Sequence, residues 1–133
     1  MRRCAVVTLV SLLLCPGAGI GASGDWNVFV NSSAGLNSKA NVGQYAASKH
    51  ALKAIADCLR EEVNPDGIRV LSIYPGRTAT PMQEALYKAE GRTYHPEILM
   101  QPSDAAQVVI QALRLPRTVE VTDIHLRPLM KSY

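Results

Sequence analysis

Aromatic residues are scarce in this chain of 133, with one tryptophan, one phenylalanine and five tyrosines. The net charge of +3 comes from lysines and arginines scattered singly. There is no basic stripe to track phosphates and no row of rings to stack bases, which excludes a nucleic-acid surface. Cysteine is sparse and odd in number: Cys4, Cys15 and Cys58 form no C-x-x-C pair, which excludes a disulfide framework and a cysteine zinc site. His50, His95 and His125 stand too far apart for metal-ligand spacing. The longest apolar run, Cys4 to Cys15, falls short of the roughly 17–25 residues that a membrane-crossing helix needs. What is plentiful is aliphatic: 47% of residues are hydrophobic against 19% charged, the balance of a globular chain of one-domain size with a modest core.

The first 25 residues read apart from the remainder, 26–133. Met1-Arg2-Arg3, an apolar run and the small-residue tract Pro16 to Gly24 have the outline of a secretory signal; the preferred reading is a strand or helix remnant followed by a glycine loop. Gly19-Ile20-Gly21-Ala22-Ser23-Gly24 matches G-x-G-x-x-G literally. A dinucleotide fingerprint needs a helix next, whose amides hold the pyrophosphate, and here a second strand pattern follows instead.

From Asn27 the pattern alternates. Asn27 to Asn31 is a short apolar strand, and Leu36 to Gln44 a polar loop. Tyr45 to Asn64 is a helix whose apolar stripe is Leu52, Ile55, Ala56, Leu59 and Val63, with Lys53, Asp57, Arg60 and Glu61 facing water. Asn64-Pro65-Asp66-Gly67 stops it, and Ile68 to Tyr74 is the next strand. Thr78 to Gln101 reads as irregular to weakly helical. Pro102-Ser103-Asp104 opens a helix, capped near Ser103, that buries Val108, Val109, Ala112, Leu113 and Leu115; Val119 to Leu126 is a last strand. Strands alternating with helices predict an α/β fold with a parallel sheet, whose ligands gather at the C-terminal ends of the strands. The glycosylation sequon Asn31-Ser32-Ser33 ends a buried strand and is read as coincidental.

Tyr45 and Lys49 stand four residues apart at a helix start, on one face, with the ammonium close to the phenol. A phenol titrates near ~10 and is a poor proton carrier at neutral pH unless a neighbouring cation favours the phenolate. The pair therefore suggests a general acid/base, and Ser32 supplies a hydroxyl to hold the reacting oxygen beside it.

Ser32, then Tyr45-Ala-Ala-Ser-Lys49, then Pro75-Gly76-Arg77-Thr78-Ala79-Thr80 after the next strand, resembles the short-chain dehydrogenase/reductase family from Trp26 to the C-terminus. The resemblance implies the C-terminal half of a Rossmann-like, doubly wound parallel sheet. It also implies an NAD- or NADP-dependent oxidoreductase interconverting a secondary alcohol and a carbonyl. Ser32 and Tyr45 would bind the substrate oxygen, with Ser32 preferred to Ser33 because it lies three residues before Gly35. Lys49 would tune the tyrosine and hold the nicotinamide ribose. Pro75, Gly76, Thr78 and Thr80 would contact the nicotinamide, Thr78 standing where the family usually has an aliphatic residue. In the family the region after this loop is a lid, so Met82, Leu86, Tyr87, Tyr94, Ile98, Leu99 and Met100 either line a substrate pocket or pack on the domain body.

The family places its nucleotide-binding half ahead of the serine. Only 31 residues precede Ser32, room for no more than one crossover unit of about 30 residues. The phosphate loop, the residue that selects NAD or NADP and the family's helix-borne catalytic asparagine therefore find no counterpart. Two expectations follow. One is an oxidoreductase acting on a small-molecule alcohol or carbonyl, without nucleic-acid or membrane partners, cytoplasmic like its cofactor or exported if residues 1–24 are a signal. The other is a truncated, inactive homologue that associates with itself through the 45–64 helix or the sheet edge at Val28-Phe29-Val30. As written, the chain is expected to grip NAD or NADP only at the nicotinamide end and to turn over no alcohol or ketone.

Overall fold

The computed structural model describes residues 25–130. Three strands, β1 (Trp26–Val30), β2 (Arg69–Pro75) and β3 (Asp123–Leu126), form a parallel sheet in the order β1-β2-β3. Three helices connect or follow them: α1 (Gly43–Val63) between β1 and β2, then α2 (Pro81–Ala89) and α3 (Pro102–Leu113) between β2 and β3. This is the expected α/β architecture. The proposed N-terminal segment 1–25, with its glycine tract and signal-like start, lies outside the described residues but for Asp25.

The central strand explains the topology. Val70 through Tyr74 are all buried, because a parallel strand covered on both faces cannot alternate with water. On one face Phe29, Val70 and Ala56 form the core, flanked by Leu52, Leu59 and Val63. Alanine at 46 and 56 lets α1 lie close to the sheet, and burying Phe29 there contributes roughly 1.5–3 kcal/mol. Ile55 departs from the expected stripe, being 41% exposed at its margin.

Arg60 departs more sharply. Instead of facing water its guanidinium is 12% exposed; it donates to the Val70 and Thr122 carbonyls at 3.1 and 3.0 Å and pairs with Asp57. Lys53 also pairs with Asp57, at 2.6 Å. Period-2 alternation puts Arg69 on the opposite face, where its guanidinium lies 4.0 Å from the Trp26 ring and donates to the carbonyls of Leu115, Pro116 and Val119.

That arginine also shortens the last strand. Residues expected to pair from Val119 onward are drawn to Arg69, and the Glu120 carboxylate accepts the Val70 N–H at 2.9 Å where a ladder partner would have stood. The ladder resumes when Ser72 N–H donates to Thr122 O at 2.8 Å. Helix α3 begins at Pro102 with Gln101, not Ser103, as its cap; the Asp104 carboxylate accepts the Gln101 N–H at 2.8 Å. Its inner face is Val109, Ala112 and Leu113, while Val108 is exposed.

Within 78–101 the weakly helical expectation resolves into a two-turn helix. Thr80 accepts the Gln83 N–H at 3.2 Å, and Pro81 occupies the first turn. Of the seven lid side chains, Tyr87, Leu99 and Met100 are buried in the body, whereas Met82, Leu86 and Ile98 are exposed.

Candidate active site

All three strands run the same way, so the segments that follow β1 and β2 share one rim. The first carries Asn31, Ser32 and a short 3-10 turn (Ser33–Gly35), against which α1 packs; the second carries Gly76 through Thr80. Asn31, 4% exposed, organises the rim. Its main-chain N–H donates to Ile73 O at 2.8 Å, its Oδ1 accepts the Ser32 N–H at 2.8 Å, and its Nδ2 donates to Lys49 O at 3.1 Å. In the fold its amide is buried and engaged, and so is not presented to a glycan. Gly35 is required by the same contact: a Cβ there would lie 2.8 Å from Asn31 Oδ1 and 2.9 Å from Lys49 O.

Ser32 is half-buried and caps the 3-10 turn, its Oγ accepting the Ala34 N–H at 3.2 Å. A hydroxyl that accepts in this way still has its proton to donate. Ser33 is exposed. On the first turns of α1, Ala46 is buried against the rim, which leaves Tyr45 45% exposed and Lys49 half-buried. The Lys49 ammonium stands 5.8 Å from the Tyr45 ring centroid, on the common face that the spacing predicts. Among the described residues neither the Tyr45 hydroxyl nor the Lys49 ammonium has a hydrogen-bond or ion-pair partner.

The loop after β2 is fixed to the sheet. Gly76 N–H donates to Leu126 O at 2.8 Å, and a Cβ on Gly76 would crowd that oxygen at 3.2 Å. Thr78 and Thr80 differ in what they offer. Thr78 Oγ1 donates to Gly76 O at 3.1 Å, while Thr80 Oγ1 accepts from Gln83 and keeps its proton. Of the main-chain groups in this loop, the Gly76 and Ala79 N–H and the Gly76 and Arg77 carbonyls are already paired, with Leu126, Met100 and Thr78. None of the three helix starts carries G-x-G-x-x-G, so the described residues offer no such loop to the pyrophosphate.

Asn31 has a structural role at the rim that sequence reasoning missed. It stands directly before Ser-Ser-x-Gly at a strand end, but the sequence assigns its side chain no role beyond membership of that motif and of the sequon. Away from the rim, Tyr74 and Ser72 bury hydroxyls that make no hydrogen bond of good geometry among the described residues, and burial pushes the Tyr74 phenol above its ordinary range.

Comparison with known proteins places this geometry. The short chain dehydrogenase family matches residues 19–91. An uncharacterized NAD-dependent oxidoreductase of Mycobacterium tuberculosis is 46% identical over 69 residues, covering 52% of this chain and 25% of that protein. An uncharacterized short-chain type dehydrogenase/reductase of Sinorhizobium fredii is 32% identical over 103 residues, covering 75% of this chain and 42% of the relative. Among solved structures, a short chain dehydrogenase from Escherichia coli complexed with NADPH superimposes with a TM-score of 0.64 at 30% identity, covering 77% of this chain and 42% of the other. The chain belongs to the short chain dehydrogenase family. It spans less than half the length of each of these relatives.

Proposed function

We propose that residues 26–133 form the catalytic half of an NAD- or NADP-dependent oxidoreductase that interconverts a secondary alcohol and a carbonyl. The observation that carries this reading is the Tyr45–Lys49 pair on one face of α1, with the ammonium 5.8 Å from the ring centroid and neither polar group hydrogen-bonded among the described residues. The nicotinamide, when bound, exchanges hydride with the substrate carbon. Ser32 donates a hydrogen bond to the substrate oxygen and orients it. Tyr45 gives that oxygen a proton in reduction and takes it back in oxidation. Lys49 stabilises the phenolate that results and would hold the ribose, while Pro75, Gly76, Thr78 and Thr80 would hold the nicotinamide. General acid/base help of this kind is worth about 10²- to 10⁴-fold, provided the reactants are held in place.

The adenosine and pyrophosphate ends find no such partners among the described residues, so their grip is assigned outside them. The test joins residues 26–133 behind the nucleotide-binding half of the Sinorhizobium fredii relative. Ketone reduction by the joined protein, abolished by Tyr45→Phe, supports the reading. A folded, cofactor-binding protein without turnover of ketones or secondary alcohols would overturn it.

A further inference from the structure

Arg77 follows Pro75-Gly76 in the loop offered to the nicotinamide, and its side chain points away from that task. Its Nη1 donates to the Tyr87 hydroxyl at 2.9 Å, and its guanidinium lies 5.3 Å from the Tyr87 ring centroid. Tyr87 sits on α2 and is 3% exposed. The Arg92 guanidinium stands 4.7 Å from the same ring, and Tyr94 meets it edge-on at 5.7 Å. The segment carrying these residues closes on itself at its base. Thr78 and Met100 form a parallel bridge, Ala79 N–H donates to Met100 O at 2.7 Å, and Met100 N–H donates to Arg77 O at 3.3 Å.

The geometry points to Arg77 as a positioning residue. Acting through Tyr87, it braces the α2 segment (81–98) against the 75–80 loop, so that lid and nicotinamide loop form one rigid unit. The inference rests on the function proposed above for that loop, but the brace itself is a property of the cofactor-free chain. Three features make the contact suited to this. Arginine presents a planar fork that can both donate to the phenol and lie against its ring, which a lysine ammonium cannot reproduce. The hydrogen bond joins residues ten apart, across the base of the segment rather than within α2. The ring is buried, so the charged hydrogen bond is shielded from water and is among the stronger kind.

A brace of this sort sets which amides open together. The test is native-state hydrogen exchange on the cofactor-free chain with Arg77→Lys, Tyr87→Phe and the double variant. Both single changes keep charge or ring and so preserve packing. The reporters are the Glu90 N–H, which donates to Leu86 O, and the Arg92 N–H, which donates to Tyr87 O, with α1 and β2 amides as internal controls. Each single variant is expected to speed exchange within 81–98 about tenfold, and the double variant by clearly less than the product of the two, because the Arg77–Tyr87 link is lost in each. Unchanged exchange in either single variant, an additive double variant, or equal acceleration in α1 and β2 would overturn the brace. None of these outcomes depends on whether Tyr45 carries a proton, so failure here is distinct from failure of the proposed reaction.

Discussion

The Asn31 side-chain amide donates to the main-chain carbonyl of Lys49 at 3.1 Å, and so ties the end of β1 to the turn of α1 that carries the lysine. Strand and helix can place Ser32 and Lys49 together only if the phase of α1 relative to β1 is held, and this bond holds it. Asn31→Ala leaves the Ser32 N–H without its acceptor, at a cost of about 1–3 kcal/mol. Gly35→Ala drives a methyl into the same contact, at about 1–3 kcal/mol for overpacking. Urea unfolding of both variants, beside a distant surface change, checks the assignment. Midpoints equal to the parent's would remove Asn31 from the site.

Asp57 sets an acid dependence. Burial alone would raise its pKa, but hydrogen bonds from Lys53 and Arg60 outweigh that and hold the carboxyl below its ordinary 3.8. A carboxyl depressed by folding stabilises the fold above its unfolded value, and that contribution fades as pH falls through the folded value. Parent and Asp57→Asn should therefore differ most in melting temperature above about pH 4, and converge as the solution is acidified below it. A gap that stays constant down to the acid transition would contradict the pairing.

The Tyr74 hydroxyl is buried and makes no hydrogen bond of good geometry among the described residues, although Ser72 and Asp123 act on it, so removing it costs at most a weak bond. Tyr74→Phe should be neutral or stabilising by up to about 1 kcal/mol, an unusual outcome for a core tyrosine. A loss of more than about 1 kcal/mol in calorimetric unfolding would show that the hydrogen bond to Ser72 or Asp123 is a strong one.

Among the described residues β1 is paired on one side only, and Val30 at its end is 67% exposed. An apolar strand edge invites another chain. The isolated chain should self-associate in the micromolar range, seen as a concentration-dependent mass in sedimentation; a constant monomer mass would count against it.

Much of this rim was legible because its chemistry is local. The Tyr45 to Lys49 spacing and the Thr80-Pro81 helix start are written in neighbouring residues, although the segment from Thr78 to Gln101 reads as only weakly helical because its helix is short. What stayed hidden depends on partners far along the chain. Helical periodicity assigns Arg60 to water, yet its acceptors are main-chain oxygens on β2 and beside β3. The same holds for Arg69, whose buried guanidinium and neighbouring Glu120 decide where β3 begins. The Asn31 to Lys49 link spans 18 residues and appears only once α1 is laid on the sheet.

In the proposed reaction Tyr45 carries the proton. The most direct test is the rate of ketone reduction by residues 26–133 joined to the nucleotide-binding half of the Sinorhizobium fredii relative, measured with NADH and NADPH for the parent and for Tyr45→Phe. The variant should lose about 10²- to 10⁴-fold in rate, with the circular dichroism of the two proteins unchanged. Turnover within about tenfold of the parent, from an equally folded variant, would contradict it.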